Sequence, residues 1–324
     1  MGEAFAGRTV GKKAMLWGIL AQSIPDIDFV AALWSDTIGN LFAHRGFTHS
    51  ILFAVIITPL IAGLANHWHR PHNISFRRWF LFIGSVILMH IFLDAFNNYG
   101  VGWFEPFSSK RISFNTIYVA DFFFSIAPFV ALVLLIVLNR KNPKRKWIWQ
   151  LGLIIPFFYL AYGVANRKYI RTAVNKSLAA KNIKFKRLLV TPAPLQSWLW
   201  FVAADVDSGY YIGYRSVFDS RDESDFNYVS KNLSLEDSVK DEIAMRKIMQ
   251  FSQDWYTLEK HADTILINDL RFGQVIGWQD PKESFVFYFY LQPEIDNTLV
   301  VQRGRVAKWN EESFRSLLRR IKGN

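Results

Sequence analysis

Residues Trp79–Asn97 read WFLFIGSVILMHIFLDAFN, and this stretch decides the fold. Its first 15 residues carry no formal charge, and the run continues through Asp94 to Asn97, long enough for the 17–25 residues that cross a hydrocarbon core. His90 and Asp94 lie four apart, so on a helix they share a face and can bind one metal or pair with each other. A carboxylate in such apolar surroundings is costly unless it has a partner, which makes it a functional candidate.

Working outward, Gly46–Asn66 has 21 residues without a formal charge, Phe122–Asn139 has 18 and Trp147–Asn166 has 20. Each is expected to span a membrane. Ala14–Pro25 gives 12 uncharged residues before Asp26 and Asp28, which fits a short span, a re-entrant segment or a buried half-helix. The expected architecture is an α-helical polytopic membrane domain over 1–166, with four to five membrane elements. A soluble α+β domain follows over 167–324, on the same side as the candidate site. In that second part Arg187–Thr191, Trp198–Val206, Gly209–Val217, Thr264–Asp269 and Ser284–Leu291 read as strands, and Ser238–Ser252 and Glu311–Ile321 as helices.

Composition supports this division. The chain has 324 residues, 51% hydrophobic and 16% aromatic, which excludes disorder. Having no cysteine, it has no disulfide, thiolate nucleophile or cysteine-based metal site. The first 166 residues hold 14 Lys and Arg but only 7 Asp and Glu. Eleven of those basic residues (Arg8, Lys12, Lys13, Arg70, Arg77, Arg78, Arg140, Lys141, Lys144, Arg145 and Lys146) fall on one side of the expected spans, and Arg45, Lys110 and Arg111 on the other. The positive-inside rule puts the eleven in the cytoplasm and the other end outside. The basic charge is thus assigned to topology and lipid headgroups, with no nucleic-acid partner expected.

Metal-ligand side chains concentrate in Pro25-Asp26-Ile27-Asp28, in His44-Arg45-Gly46-Phe47-Thr48-His49-Ser50 and in His90-Ile91-Phe92-Leu93-Asp94. Asp26 and Asp28 close the first element, His44 and His49 open the second, His90 and Asp94 close the third, and Asp121 opens the fourth. An up-and-down bundle puts all seven at one end. That is more than one four-coordinate ion uses, so two divalent ions bridged by carboxylate are expected, with imidazole and carboxylate suiting zinc or manganese. Asp121 fits a helix cap as well as a ligand. His67, His69 and His72 read as core or interfacial residues, and Asp36 as an exposed loop acid.

These clusters, with Asn97-Asn98-Tyr99-Gly100, Pro106-Phe107-Ser108-Ser109-Lys110-Arg111 and Asp121, resemble the YdjM family, described as LexA-regulated, inner-membrane-associated, metal-dependent hydrolases. The likeness extends to Trp198-Leu199-Trp200 and Asp269-Leu270-Arg271-Phe272-Gly273. It implies a multi-pass protein of the bacterial inner membrane. Two departures stand out: the branch carries an additional helix before the segment matching Gly2–Lys13, which implies a late start, and Phe122 stands where the family commonly has Pro.

The expected activity is hydrolysis of a phosphoester or other ester of a small-molecule or lipid-like substrate at the headgroup level, by a water whose pKa the metal lowers. Arg45, Lys110 and Arg111 are candidates for phosphate oxygens or for lipid headgroups, and Thr48 and Ser50 for hydrogen bonds that orient His49. A transporter using intramembrane Asp and His, and a regulatory protein with a structural metal, are the alternatives. Arg271 either orients substrate or pairs with an acid such as Asp269.

Overall fold

In a computed structural model the described residues are 1–35, 37–71, 74–262, 264–291 and 308–323; Asp36 and His72 lie outside them. The chain divides into two compact units. The first comprises Met1–Trp34, Phe42–Phe114 and Ala120–Ala161, and the second Ser35–Leu41, Asn115–Val119 and Tyr162–Asn324.

Helices α1 (Gly2–Val10) and α2 (Lys13–Ser23) open the first unit. Pro25 offers no N–H to continue the α-helical ladder, and the chain turns by 55° into a 3-10 helix, Pro25–Leu33. The first element is therefore bent, as a broken span or a re-entrant segment would be. After α3 (Thr37–Ala43) and a 3-10 turn at Phe47–His49 come α4 (Ile51–Trp68) and α5 (Phe76–Asp94). Ser50 and Ser75 start these two helices by accepting from the N–H of Phe53 and Arg78.

Among the described residues three helices, α4, α5 and α7 (Arg145–Ala180), are long and apolar enough to cross a membrane, or up to four spans if the bent pair counts as one. Helix α6 (Phe122–Val137) is apolar but shorter. Small residues let α4 and α5 approach closely: Ala54, Ala62 and Ala65 share a core with Phe82, Ile83, Val86 and Ile87, and a Cβ at Gly84 would sit 3.1 Å from the Thr58 methyl. The outer faces are apolar too, with Val55, Leu60, Leu88, Phe129 and Phe157 exposed. Water does not favour such faces; lipid does.

Arg145, assigned by sequence to topology, is buried. It donates to both Glu3 oxygens at 2.8 and 2.7 Å and to the Leu135 and Leu138 carbonyls at the end of α6. One guanidinium thereby ties α1 to the α6–α7 connection.

Helix α7 runs through Asn166 without a break. Its continuation carries an apolar stripe, Ile170, Val174 and Leu178, that packs on one face of an antiparallel sheet. That sheet is a meander of β1 (Arg187–Pro192), β2 (Leu199–Val206), β3 (Gly209–Ser216) and β4 (Asn227–Ser230). Alternation along a strand sends neighbours to opposite faces. Leu188, Val190, Trp200 and Val202 meet α7, while Leu189, Phe201 and Ala203 meet Trp255, Leu270 and Phe285.

Helix α8 (Glu242–Phe251) leads into a second antiparallel meander, β5 (Tyr256–His261), β6 (Thr264–Gln274) and β7 (Phe285–Tyr290). Helix α9 (Glu311–Ile321) packs Leu317 with Ala193 and Leu199. Membrane-type helices are thus followed by a sheet-containing α+β part.

Candidate metal centre

Three elements bring side chains to one point. The 3-10 helix after α2 supplies Asp26, the turn before α4 supplies His49, and the last turns of α5 supply His90 and Asp94. His49 Nε2 and His90 Nε2 lie 3.2 Å apart, and Asp26 Oδ1 is 3.5 Å from each. Asp94 Oδ2 lies 3.6 Å from His49 Nε2 and 3.9 Å from His90 Nε2. Asp26, His49 and His90 form a group whose ligand atoms could hold one metal ion.

Both rings are held by their far nitrogens. His49, fully buried, has Nδ1 3.3 Å from Asp28 Oδ2 and 3.2 Å from Thr48 Oγ1. With its proton on Nδ1 facing that carboxylate, the Nε2 lone pair is left for the centre. The Gln22 amide lies 3.0 Å from His90 Nδ1. Turned so that its oxygen accepts from Nδ1–H, it leaves His90 Nε2 equally free. Gln22 has no charge and no ligand chemistry, so nothing in the sequence marked it.

Asp28 and His44 sit beside this group rather than within it. Asp28 accepts from the Arg45 N–H at 2.8 Å and lies 3.4 Å from His44 Nδ1. The placement makes Asp28 a support for the histidines.

Arg111, a candidate for phosphate oxygens or lipid headgroups, is buried and bonds the backbone. It donates to the carbonyls of Phe42, His44 and Gly100 at 2.6–3.4 Å and lies over the Phe42 ring. It thus braces the loop that carries His44 and Arg45. The loop is held further by Gly102 N–H donating to Arg45 O and by Ile51 N–H donating to Trp103 O. Lys110 is exposed.

Gly46 has no room for a side chain: a Cβ would fall 2.6 Å from the Phe42 carbonyl and 3.0 Å from Glu105 Oε2. Burial lifts the Glu105 carboxyl above its ordinary value, against the pull of Arg111. Glu105 was another residue the sequence did not single out. His69, read as a core residue, is buried and accepts from Trp17 Nε1 at 2.7 Å.

Asp121 is engaged at the start of α6. It accepts from the Phe124 N–H and, at 3.0 Å, from the Tyr159 hydroxyl. Burial pushes its carboxyl up to about 6 from 3.8, against those two bonds. A folded value above the unfolded one makes this group's contribution to stability greatest below about pH 4, lost as pH rises through about 6. Asparagine keeps the capping oxygen without the charge. Asp121→Asn is therefore expected to stabilise the detergent-solubilised chain at pH 8 by up to roughly 3 kcal/mol, read as a raised thermal midpoint, and to leave the midpoint unchanged at pH 4.

Apolar helices with lipid-type outer faces, carrying a buried histidine–carboxylate group, define a multi-pass membrane protein with a candidate metal centre. The chain belongs to the YdjM inner membrane protein family, whose pattern matches residues 1–170 and so covers every side chain of the centre. Among curated proteins, it is 29% identical over 161 residues to inner membrane protein YbcI of Escherichia coli, covering 48% of this chain and 87% of that one. It is 33% identical over 203 residues to the uncharacterized protein YfhP of Bacillus subtilis, covering 61% of this chain and 58% of that one. No solved structure matches. Family and helices together make this a multi-pass inner membrane protein.

Proposed function

We propose that the chain is a membrane-embedded metal-dependent hydrolase acting on a phosphoester or other ester of a lipid-like substrate. The observation that supports this is the approach of two imidazole Nε2 atoms and a carboxylate oxygen to within 3.5 Å of one another, with a second carboxylate at 3.6 and 3.9 Å. The donor set fits a divalent cation. Two imidazole Nε2 atoms converge with an Asp26 oxygen and with Asp94 Oδ2, which Arg45 Nε meets at 2.6 Å, and a cation at that point would offset the two carboxylates. Imidazole with carboxylate suits zinc or manganese.

In this reading Asp26, His49, His90 and Asp94 hold the ion, while Asp28 and Gln22 fix the rings. A bound divalent ion supplies Lewis acidity and acidifies water at neutral pH. Asp28 and Gln22 turn the Nε2 edge of each ring to the centre, and Asp94 stands at its edge. Membrane lipid and the substrate are the partners, with no role for nucleic acid. The basic residues of the opposite connections favour an external site, and the α+β part is assigned to the same side.

The test is release of phosphate or fatty acid from a mixed lipid panel by the purified, metal-loaded chain. Release that is lost in His90→Ala and Asp94→Ala is expected. Bound metal without release from any lipid would instead favour ion handling or a structural metal. Asp28→Asn is expected to weaken metal binding by about 10–100-fold, the usual cost of removing the group that orients a ligating histidine; competition with a chromophoric chelator measures it.

A further inference from the structure

We infer that Arg45 is the anion-binding residue of this centre, so that the ester it selects is a phosphate ester; this rests on the metal-dependent reading above. Arg45 is only 8% exposed, and its Nε lies 2.6 Å from Asp94 Oδ2, the carboxylate oxygen nearest both histidines on the α5 side. A well-satisfied structural arginine would end there. Nε faces that carboxylate, but Nη1 is buried with no hydrogen-bond acceptor among the described residues, a costly state for a guanidinium donor. The group also rests over the Tyr99 ring, 5.0 Å from its centre, which fixes its plane.

The backbone adds a second, independent sign. Arg45 is a non-glycine residue at φ 59°, in the left-handed region. It is held there by its own N–H to Asp28 Oδ2 at 2.8 Å and by Gly102 N–H to its carbonyl at 2.9 Å. Such conformations are unfavourable for a residue with a side chain and persist where neighbours enforce them. Here they carry the guanidinium to the centre. Its fork matches two oxygens of a phosphate, whereas a neutral carboxylic ester offers it no charge. Arg111 already donates to three carbonyls, and Lys110 is exposed. Asp26 and Asp94 repel an anion, so phosphate binding is expected only once a divalent cation offsets them.

Equilibrium dialysis of inorganic phosphate against the full chain in nanodiscs of neutral lipid, with and without stoichiometric zinc, tests this. Phosphate is expected to bind the zinc-loaded chain, and the zinc-loaded Arg45→Met variant at least about tenfold more weakly, with zinc content unchanged. Arg45→Lys keeps the charge without the fork and is expected to fall between the two; it carries the comparison if Arg45→Met does not fold. Phosphate affinity unchanged in either folded variant, or no phosphate binding by the zinc-loaded wild type, overturns the inference and leaves the metal centre standing. Failure of the wild type to bind zinc overturns the centre itself. Glycerol 3-phosphate competing for the site identifies a soluble ester, and phosphatidic acid in the nanodisc competing identifies a lipid headgroup. Competition by neither overturns the assignment to an ester.

Discussion

His49→Ala is expected to reduce divalent-metal affinity by more than the 10–100-fold typical of losing an outer-shell partner. His49 is the residue on which the centre turns. Its Nε2 lies within 3.6 Å of His90 Nε2, Asp26 Oδ1 and Asp94 Oδ2, and its Nδ1 side is held by Asp28. Removing the ring deletes a ligand and opens space in a fully buried position. The remaining carboxylates then face each other with one imidazole. Metal content after dialysis, compared with the wild type at equal folded fraction, measures the loss; His90→Ala is expected to behave alike. A His49→Ala chain that retains its metal would place the ion elsewhere.

Arg271→Leu is expected to destabilise the second compact unit by about 3–5 kcal/mol, lowering its thermal midpoint by roughly 6–20 °C. Arg271 and Asp269 lie two apart on β6 and share a face. The guanidinium donates from Nε and Nη2 to the two carboxylate oxygens at 3.0 and 2.6 Å, and both residues are essentially unexposed. The pair decides between the two sequence readings of Arg271 in favour of the ion pair. Phe251 and Phe272 flank the guanidinium at 4.7 and 5.5 Å. Leucine fills part of the volume and leaves the Asp269 charge buried and unpaired. The double variant Asp269→Asn with Arg271→Leu is expected to recover much of the loss, because the penalty comes from the orphaned carboxylate. Thermal unfolding of the full chain, followed by near-ultraviolet circular dichroism, reads both.

Residues whose chemistry is conspicuous in an apolar text were legible in the sequence. Asp26, His49, His90 and Asp94 stand out because carboxylates and imidazoles are rare beside membrane-length runs, and the i, i+4 spacing of His90 and Asp94 already put them on one face. Gln22 was not legible, because an uncharged amide carries no such contrast and its closeness to His90 depends on tertiary packing. The surroundings of Arg111 were not legible for a related reason. Charge and position fitted a phosphate contact, but the carbonyls of Phe42, His44 and Gly100, which the fold gathers around it, use its donors.

Bends and edges were harder still. Pro25 announced a turn, but not that a 3-10 helix would carry Asp26 to one group and Asp28 to another. Strand β5 ends in exposed Glu259, Lys260 and His261, and β4 has only four residues, none of them buried. Neither offers the apolar alternation by which a strand is recognised. The long α7 hid its own continuity, since its basic residues after Asn166 look like a boundary while Ile170, Val174 and Leu178 carry the helix on against the sheet.

The most direct test of the centre is X-ray absorption at the zinc edge on the full chain, loaded with zinc and dialysed at neutral pH. About one zinc per chain is expected, in a shell of two imidazole nitrogens and carboxylate oxygen, with the imidazole signal weakened in His49→Ala or His90→Ala and lost in the double variant. A chain that holds no zinc, or a zinc shell without imidazole, would contradict this.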